Sequence, residues 1–310
     1  MMSFAFVFPG QGSQSLGMLD AFSENLAVRE TVAQASDVLG FDLARMVSQG
    51  PKEMLDLTKN TQPVMLTAGV AFYRAWRAAG GAMPAVVAGH SLGEYSALVA
   101  AGALAFDDAL QLVRFRAEAM QRAVPVGQGG MAAILGLADA DVRQACSEAA
   151  RGQVVEAVNY NAPMQVVIAG HADAVERACA LALAKGAKRA LPLAVSAPFH
   201  SSLLLPAAQE LRGYLTNIEF STPKIALIDN VDVALASDAA SIRDALCRQA
   251  ASPVRWVETV NAIADQGITH VIECGPGKVL TGLTKRINPN LISDAIATPE
   301  SIIKIMELLT

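Results

Sequence analysis

The run Gly89-His90-Ser91-Leu92-Gly93 constrains the fold of this chain more than any other stretch. It follows the apolar run Ala85–Ala88 and precedes a helical pattern that begins at Glu94. The sequence therefore predicts a strand, a sharp turn and a helix, which is the arrangement of a nucleophile elbow. Glycine is expected on both sides of such a serine, because a side chain there would collide with the strand or the helix. Ser91 is accordingly the candidate nucleophile, at a helix N-terminus where the dipole favours developing negative charge.

The composition supports a large buried core and argues against several classes of partner. Of 310 residues, 53% are hydrophobic and 17% are charged, which is typical of one large globular domain or of a domain that carries an insertion. The formal net charge of -5 argues against nucleic acid as a partner. No uninterrupted apolar run reaches membrane-spanning length, so we expect no membrane association.

The four cysteines are widely spaced and form no C-x-x-C pair, so neither a metal site nor a dithiol site is expected. Scattered thiols are typical of a reducing compartment, and we expect the protein to be cytoplasmic. Cys274 precedes Gly275-Pro276-Gly277, and the favoured interpretation is a buried side chain without a chemical role. No heptad run or other interaction signal is present, so a monomer is expected.

Strands that alternate with helical patterns indicate a parallel α/β sheet over much of the chain. The first strand is expected at Phe4–Phe8 and the elbow strand at Ala85–Ala88. The other elements expected in this part are helices near Pro63–Ala79 and at Phe106–Val124, and strands at Lys224–Ile228 and His270–Glu273.

The pattern changes at Pro125–Gly130, and a compact unit follows. Its strands and helices are predicted, in βαββαβ order, at Met131–Leu137, Asp139–Ala150, Val154–Asn159, Gln165–Ala169, Ala172–Lys185 and Ala187–Leu193. This order is that of the ferredoxin-like arrangement. We therefore expect an α/β protein whose large parallel-sheet domain, residues 1-126 and 195-310, carries a small ferredoxin-like subdomain at residues 127-194.

A serine hydroxyl needs a nearby base, and the chain offers four histidines. His200 is the favoured base because it lies in the loop-like segment Ser196–Ser202, and loops often carry catalytic groups. The other three histidines are interpreted as a neighbour whose side chain points away from the serine, a surface or capping residue, and a structural residue of a strand: His90, His171 and His270.

No aspartate lies at a triad-like place between the elbow and His200. Three aspartates of the compact unit, Asp139, Asp141 and Asp173, fall at predicted helix starts, where capping explains them. The residues alone therefore predict a Ser–His dyad, with the histidine oriented by a backbone carbonyl or by an amide side chain.

The segment Pro9–Gln14 follows the first strand directly. Glycines on both sides of Gln11 would let its backbone N–H point into a site. Two other interpretations stay open: a plain turn, and a phosphate-binding loop, although the G-x-x-x-x-G-K-[ST] pattern is absent.

These motifs together resemble the malonyl-CoA:acyl carrier protein transacylases of fatty-acid synthesis, over essentially the whole chain. The matching runs are Phe8–Gln14, Gly89–Tyr95, Arg116 with Met120-Gln121, Asn159–Pro163, Gln165–Gly170, Pro198–Ser201 and Glu273–Leu280. The resemblance implies an α/β-hydrolase-like domain with an inserted ferredoxin-like subdomain, in agreement with the predicted order of elements.

The resemblance also implies how the serine is activated. Ser91 would attack the malonyl thioester, and His200 would take the serine proton. Gln249 matches the position whose backbone carbonyl orients the histidine, which would explain the missing aspartate.

Three further roles follow from the same resemblance. The backbone N–H groups of Gln11 and Leu92 would form the oxyanion hole. Arg116 would pair with the free malonyl carboxylate, which suits the forked geometry of a guanidinium. By its pattern alone, Arg116 is only a solvated residue of an amphipathic helix.

The expected reaction is a ping-pong transfer of malonyl from malonyl-CoA to the phosphopantetheine thiol of a holo acyl carrier protein, with no metal and no bound cofactor. Carrier proteins are usually acidic, so a basic patch is expected among Lys185, Lys188, Arg189, Lys278, Lys285 and Arg286. The alternatives are a serine hydrolase or thioesterase on the same elbow, an acyltransferase that serves a polyketide assembly line, and a non-catalytic carrier-binding module.

Overall fold

The structure of the protein, a computed structural model, describes residues 2–310 and contains two sheets. The larger sheet has five parallel strands: β1 (Phe4–Phe8), β2 (Val86–Gly89), β7 (Ala226–Ile228), β8 (His270–Cys274) and β9 (Ile292–Ile296). The smaller sheet has four antiparallel strands: β3 (Gly129–Leu135), β4 (Val155–Ala162), β5 (Gln165–His171) and β6 (Arg189–Pro192).

Helices cover both sheets. The α-helices of the described residues are α1 (Leu26–Leu39), α2 (Leu43–Gln49), α3 (Lys52–Leu55), α4 (Thr58–Ala78), α5 (Gly93–Ala100), α6 (Phe106–Ala123), α7 (Asp139–Ala150), α8 (Ala172–Ala184), α9 (Leu205–Leu215), α10 (Ala239–Gln249), α11 (Trp256–Asp265), α12 (Val279–Ile287) and α13 (Pro299–Leu308). Short 3₁₀ helices occupy Asp20–Phe22 and Ser202–Leu204. Within residues 2–310, no helix is long and apolar enough to cross a membrane.

The large sheet has the strand order β7-β2-β1-β8-β9, with β1 at its centre. Both faces of such a sheet are covered by helices, so a central strand is apolar throughout, and every residue of β1 is buried. Phe6 of β1 packs edge-on against Trp76 of α4, with ring centroids 5.3 Å apart. Because the strands are parallel, the segments that follow β7, β2 and β1 meet at one edge of the sheet.

The predicted strands of the large sheet lie close to their predicted positions, whereas strand β9 and the start of helix α4 differ from the prediction for a physical reason. Strand β9 was not predicted, because Ser293 and Asp294 interrupt its apolar run. Helix α4 begins at Thr58, before the predicted start near Pro63. Its polar first turn carries no hydrophobic pattern, yet it is buried and partnered: the Thr61 hydroxyl donates to the Leu55 carbonyl at 2.7 Å.

The small sheet has the order β4-β5-β3-β6, and α7 and α8 pack on it. The βαββαβ succession and the predicted α/β class are thereby confirmed. Strand β6 is shorter than predicted, at Arg189–Pro192. The division of the chain at residues 127 and 194 stays a prediction.

The expectation that acidic residues cap the helices of the small unit is wrong. Asp139 and Asp141 lie in the first turn of α7, whose N-cap is Ala138, and no side chain caps that helix. Asp173 lies in the first turn of α8, whose N-cap His171 makes no capping hydrogen bond. His171 instead accepts a hydrogen bond from the Val154 amide on Nδ1, at 3.0 Å.

The two sheets are joined next to the histidine-bearing loop. Glu156 of β4 accepts hydrogen bonds from the backbone amide and the hydroxyl of Ser202, both at 2.8 Å. Farther along β4, the Tyr160 amide donates to the Val254 carbonyl at 3.0 Å. Strand β4 of the small sheet is therefore bonded to the segment that follows His200 and to the segment that follows Gln249.

Candidate active site

The turn after β2 has the geometry of a nucleophile elbow. Ser91 has a φ of 51°, in the left-handed region that a sharp strand-to-helix turn requires. The flanking glycines are sterically required: a Cβ on Gly89 would lie 1.9 Å from the Gly93 carbonyl carbon, and one on Gly93 would lie 2.0 Å from the Phe8 oxygen. The hydroxyl of Ser91 lines a cavity at the edge of the sheet.

His200 is the histidine that meets Ser91. Its Nε2 lies 2.7 Å from the serine Oγ, and its Nδ1 lies 2.9 Å from the Gln249 backbone oxygen. A carbonyl can only accept, so Nδ1 carries the proton and Nε2 is free to accept the proton of Ser91. An orienting carbonyl thus occupies the place of the missing aspartate.

The ring of His200 is shielded from water, at 4% exposure. Burial lowers the pKa of His200 to about 3, and the charge of Arg116 acts in the same direction. The ring is therefore neutral at physiological pH, as a proton acceptor must be.

Arg116 is buried in α6, so its interpretation as a solvated residue is wrong. Its Nη1 donates to Gln62 Oε1 at 2.8 Å, and its Nη2 lies 2.9 Å from Gln249 Oε1 and 3.3 Å from Ser91 Oγ. The face of Tyr95 lies 5.4 Å from the guanidinium carbon. No carboxylate of the described chain forms an ion pair with this cation, so it can receive an anionic group at Ser91.

Gln11 and Leu92, whose backbone amides are the predicted oxyanion hole, lie next to the nucleophile. Both residues line the cavity beside Ser91, because β1 and β2 are adjacent and end at the same edge. Neither amide donates to a protein acceptor among residues 2–310. The Gln11 side chain is held by Thr58, whose Oγ1 accepts from Nε2 at 3.3 Å.

The cavity has a volume of about 180 Å³ and is lined by both units. The small sheet contributes Met131 of β3 and Val167 of β5. The residues described above line the rest of the cavity next to Ser91: Gln11, Gln62, Leu92, Arg116 and His200. Near residue 200, the partly buried Phe199 adds to the apolar wall. The cavity therefore combines one cation with an apolar lining, next to the serine.

Two residues of the site, Gln62 and Asn230, were not predicted from the sequence. Gln62 lies in the polar first half of α4, and Asn230 follows β7, which is adjacent to the elbow strand. Asn230 Oδ1 accepts from the Ser91 amide at 2.7 Å, and its Nδ2 donates to the Gly89 oxygen at 2.6 Å. The only available signal was the position of Asn230 at the carboxyl end of a predicted strand.

Two of the remaining histidines bond to neighbouring side chains, although His90 also lines the cavity beside the serine. His90 lies 2.7 Å from Asn161 Oδ1 through Nε2, and His270 lies 2.9 Å from the Thr269 hydroxyl through Nδ1. Cys274 is fully buried, and burial raises its thiol pKa, so it is not a reactive thiolate. No cluster of metal-ligating side chains is found in the part of the chain that the structure describes.

Comparison with known proteins identifies the family. The family model described as acyl transferase domain matches residues 5–290. The malonyl CoA-acyl carrier protein transacylase of Salmonella typhimurium is 56% identical over 97% of this chain and 98% of its own length. The Escherichia coli K12 protein of the same name is 54% identical over 99% and 100%. The chain belongs to the malonyl CoA-acyl carrier protein transacylase family.

Solved structures of malonyl transferases have the same fold as this acyltransferase. An acyl-carrier-protein S-malonyltransferase from Burkholderia pseudomallei has a TM-score of 0.97, with 64% identity over 99% of this chain and 100% of that one. A malonyl-transacylase in complex with a type II PKS acyl-carrier protein also has a TM-score of 0.97, with 52% identity over 99% of each chain. The family resemblance and the acyltransferase activity predicted from the sequence are confirmed. The alternative of a non-catalytic carrier-binding module is not supported.

Proposed function

We propose that this enzyme transfers the malonyl group of malonyl-CoA to the phosphopantetheine thiol of an acyl carrier protein through a malonyl-Ser91 intermediate. This transfer supplies fatty-acid synthesis. The observation that supports malonyl as the acyl group is the guanidinium of Arg116, which is buried and forms no ion pair within residues 2–310. Its Nη2 lies 3.3 Å from Ser91 Oγ. An acyl group that ends in a carboxylate compensates the buried charge of this guanidinium.

The first half-reaction acylates the serine. His200 Nε2 takes the Ser91 proton while Oγ attacks the thioester carbon, and the Gln249 carbonyl stabilises the resulting imidazolium. The amides of Gln11 and Leu92 donate to the oxyanion of the tetrahedral intermediate. Collapse of that intermediate breaks the carbon–sulfur bond, and CoA leaves with the proton returned by His200.

The second half-reaction reverses these steps with a different thiol. The phosphopantetheine thiol enters the cavity, and His200 takes its proton. The thiolate attacks the malonyl-Ser91 carbonyl, and Ser91 leaves as the alkoxide that His200 reprotonates. No step needs a metal or a bound cofactor.

The proposed partner is an acidic carrier, and exposed basic residues of the small unit suit it. Lys188 and Arg189 are exposed at the start of β6. Lys185 is already paired with Glu148 at 3.0 Å, and Arg286 donates to Gln165, so these two are less available. We further propose that the enzyme works in the cytoplasm as a monomer.

The deciding experiment is the intact mass of the protein after mixing with malonyl-CoA, for the wild type and Ser91→Ala. We expect a malonyl-sized gain on the wild type alone, which disappears when holo acyl carrier protein is added. A gain that decays equally fast without the carrier would make the chain a thioesterase. A gain with another acyl-CoA but none with malonyl-CoA would overturn the proposed substrate.

A further inference from the structure

A buried glutamate lies directly beneath the elbow. Glu94 is in the first turn of α5 and is 2% exposed. Its Oε2 accepts a hydrogen bond from Gln249 Nε2 at 2.9 Å and one from the Asn230 backbone amide at 3.1 Å. Glu94 does not line the cavity beside Ser91, so a direct role in the chemistry is excluded.

The first partner of Glu94, Gln249, is hydrogen-bonded to three residues of the site, His200, Arg116 and Ser91. The Gln249 backbone oxygen orients His200, and its side-chain Oε1 accepts from Arg116 Nη2 at 2.9 Å. Its Nε2 donates to the Ser91 carbonyl oxygen at 3.0 Å as well as to Glu94. A shift of this one residue would therefore disturb both proton transfer and acyl recognition.

The orientation of the Gln249 amide is fixed by its neighbours. Turned over, the amide would place its NH₂ group against the guanidinium of Arg116, where only donors face it. Its oxygen would then face the Ser91 carbonyl and the Glu94 carboxyl, which are acceptors. Glu94 therefore helps to direct the oxygen of Gln249 to the arginine.

The second partner of Glu94 holds the elbow itself. Asn230 accepts from the Ser91 amide and donates to the Gly89 oxygen, and its own amide is held by the same Oε2 of Glu94. One carboxyl oxygen thus anchors the side chain of Gln249 and the backbone of Asn230, and both of these residues brace the nucleophile turn.

We propose that Glu94 is a positioning residue for acyl transfer: by accepting hydrogen bonds through Oε2, it fixes Gln249 and Asn230 so that Arg116 and His200 face Ser91 together. The proposal rests on the proposed function of the site. Glu94 acts as a hydrogen-bond acceptor and not through its negative charge.

The surroundings of Glu94 agree with an acceptor role. Burial and the nearby Asp229 raise the pKa of Glu94 to about 8, while its hydrogen bonds and the charge of Arg116 oppose the shift. An adjoining cavity, to which Glu94 contributes, is also lined by Asp232, Asp244 and Arg248. A proton on the other oxygen leaves Oε2 able to accept, so an uncharged side chain with an acceptor oxygen suffices.

The test compares two uncharged side chains of similar size, Glu94→Gln and Glu94→Met. The rate of Ser91 acylation is measured by intact mass with malonyl-CoA and with acetyl-CoA. We expect Glu94→Gln to keep the malonyl rate and the malonyl-to-acetyl ratio of the wild type. Glu94→Met is expected to lose about tenfold or more in the malonyl rate and to reduce the ratio, because Arg116 and His200 lose their alignment.

Glu273→Gln and Glu273→Met form the matched control pair. Glu273 is another buried glutamate, which accepts from Thr281 and contacts no residue of the site. Its variants are expected to change the free energy of unfolding without changing the malonyl-to-acetyl ratio of the folded enzyme. Loss of the ratio in both Glu94 variants would show that charge matters, and a wild-type ratio in Glu94→Met would overturn the positioning role. Failure of the wild type to form malonyl-Ser91 would instead overturn the proposed function.

Discussion

At the scale of single residues, the histidine pKa governs how the rate responds to pH. His200 accepts a proton only when neutral, and its pKa is lowered from 6.5 to about 3 by burial and by Arg116. We therefore expect kcat/KM for acylation by malonyl-CoA to stay level as the pH falls through 6.5. The measurement is the initial acylation rate between pH 5 and 8, with circular dichroism to verify that the protein stays folded. An acid limb with a midpoint near 6.5 would contradict the shifted pKa.

The lowered pKa of His200 also makes the stability of the fold depend on pH. In the unfolded chain His200 binds a proton below its ordinary pKa, whereas in the folded protein it remains neutral. Its contribution to stability is therefore complete above pH 6.5 and decreases as the pH falls toward 3.

Arg116 sets which acyl group is accepted. Replacement by alanine removes the cation at the serine, so Arg116→Ala is expected to lose malonyl transfer and to gain acetyl transfer relative to malonyl. We expect the malonyl-to-acetyl ratio of kcat/KM to fall about a hundredfold, comparable with the loss of a buried charge-assisted hydrogen bond. Arg114→Ala is the control, because Arg114 lies on the exposed side of the same helix. An unchanged malonyl preference in Arg116→Ala would refute the assignment.

The residues differ in how far the sequence could predict their surroundings. Ser91 and His200 are signalled by local pattern, because a glycine-flanked turn and a loop histidine need no knowledge of distant contacts. Arg116 and Gln249 depended on the family resemblance, since a helical arginine is ordinarily solvated. Asn230 and Glu94 were found by neither route, because their partners are distant in sequence and come together only in the folded sheet.

At the scale of elements, the packing of α5 against β1 leaves no room for a side chain at the elbow. A Cβ on Gly93 would lie 2.0 Å from the Phe8 oxygen, which is backbone and cannot rotate away. Gly93→Ala is expected to lower the free energy of unfolding by about 3 kcal/mol and to abolish acylation of Ser91. Chemical denaturation and intact mass measure the two effects.

Gly213→Ala is the matched control for that substitution. Gly213 lies in α9, and a Cβ there would meet nothing within 4 Å. Since alanine favours a helix more than glycine does, this variant is expected to be equally stable or more stable. Equal destabilisation by both substitutions would show that the elbow is not tightly packed.

A helix or strand could be predicted when the hydrophobic pattern of its own residues matched the positions that are buried. Strand β1 is apolar throughout and has the predicted bounds. Strand β9 has Ser293 and Asp294 at its centre, and only pairing with β8 makes it a strand. The first turn of α4 is polar but largely buried, because its side chains bond to the preceding backbone and to the site. Such turns cannot be recognised from hydrophobic period alone.

At the scale of the whole molecule, the carrier protein must be recognised outside the cavity. Charge reversal at Lys188 and Arg189 is expected to raise the KM for the carrier protein several-fold and to leave the KM for malonyl-CoA unchanged. Lys304→Glu, on α13, is the control for the change in net charge of each single reversal, Lys188→Glu and Arg189→Glu. Steady-state kinetics with each substrate varied would check this, and equal effects on both KM values would exclude the patch.

The order of elements was sufficient to predict a parallel sheet and a second, smaller sheet, but not how the two sheets are joined. The βαββαβ succession is visible in the sequence because each small element carries its own period. The contacts of Glu156 with Ser202 and of Tyr160 with Val254 involve polar and backbone groups, which leave no periodic trace.

Those contacts have a consequence for how substrates enter. Glu156 of β4 holds the chain just after the proton acceptor, and Tyr160 holds it just after the residue that supplies the orienting carbonyl. A swing of the small sheet that widened the cleft would therefore pull the imidazole away from the serine and stop the chemistry. We therefore expect the cleft to keep a constant width during the reaction. The thiols of CoA and of the carrier protein must then enter and leave while Ser91, His200 and Gln249 stay aligned.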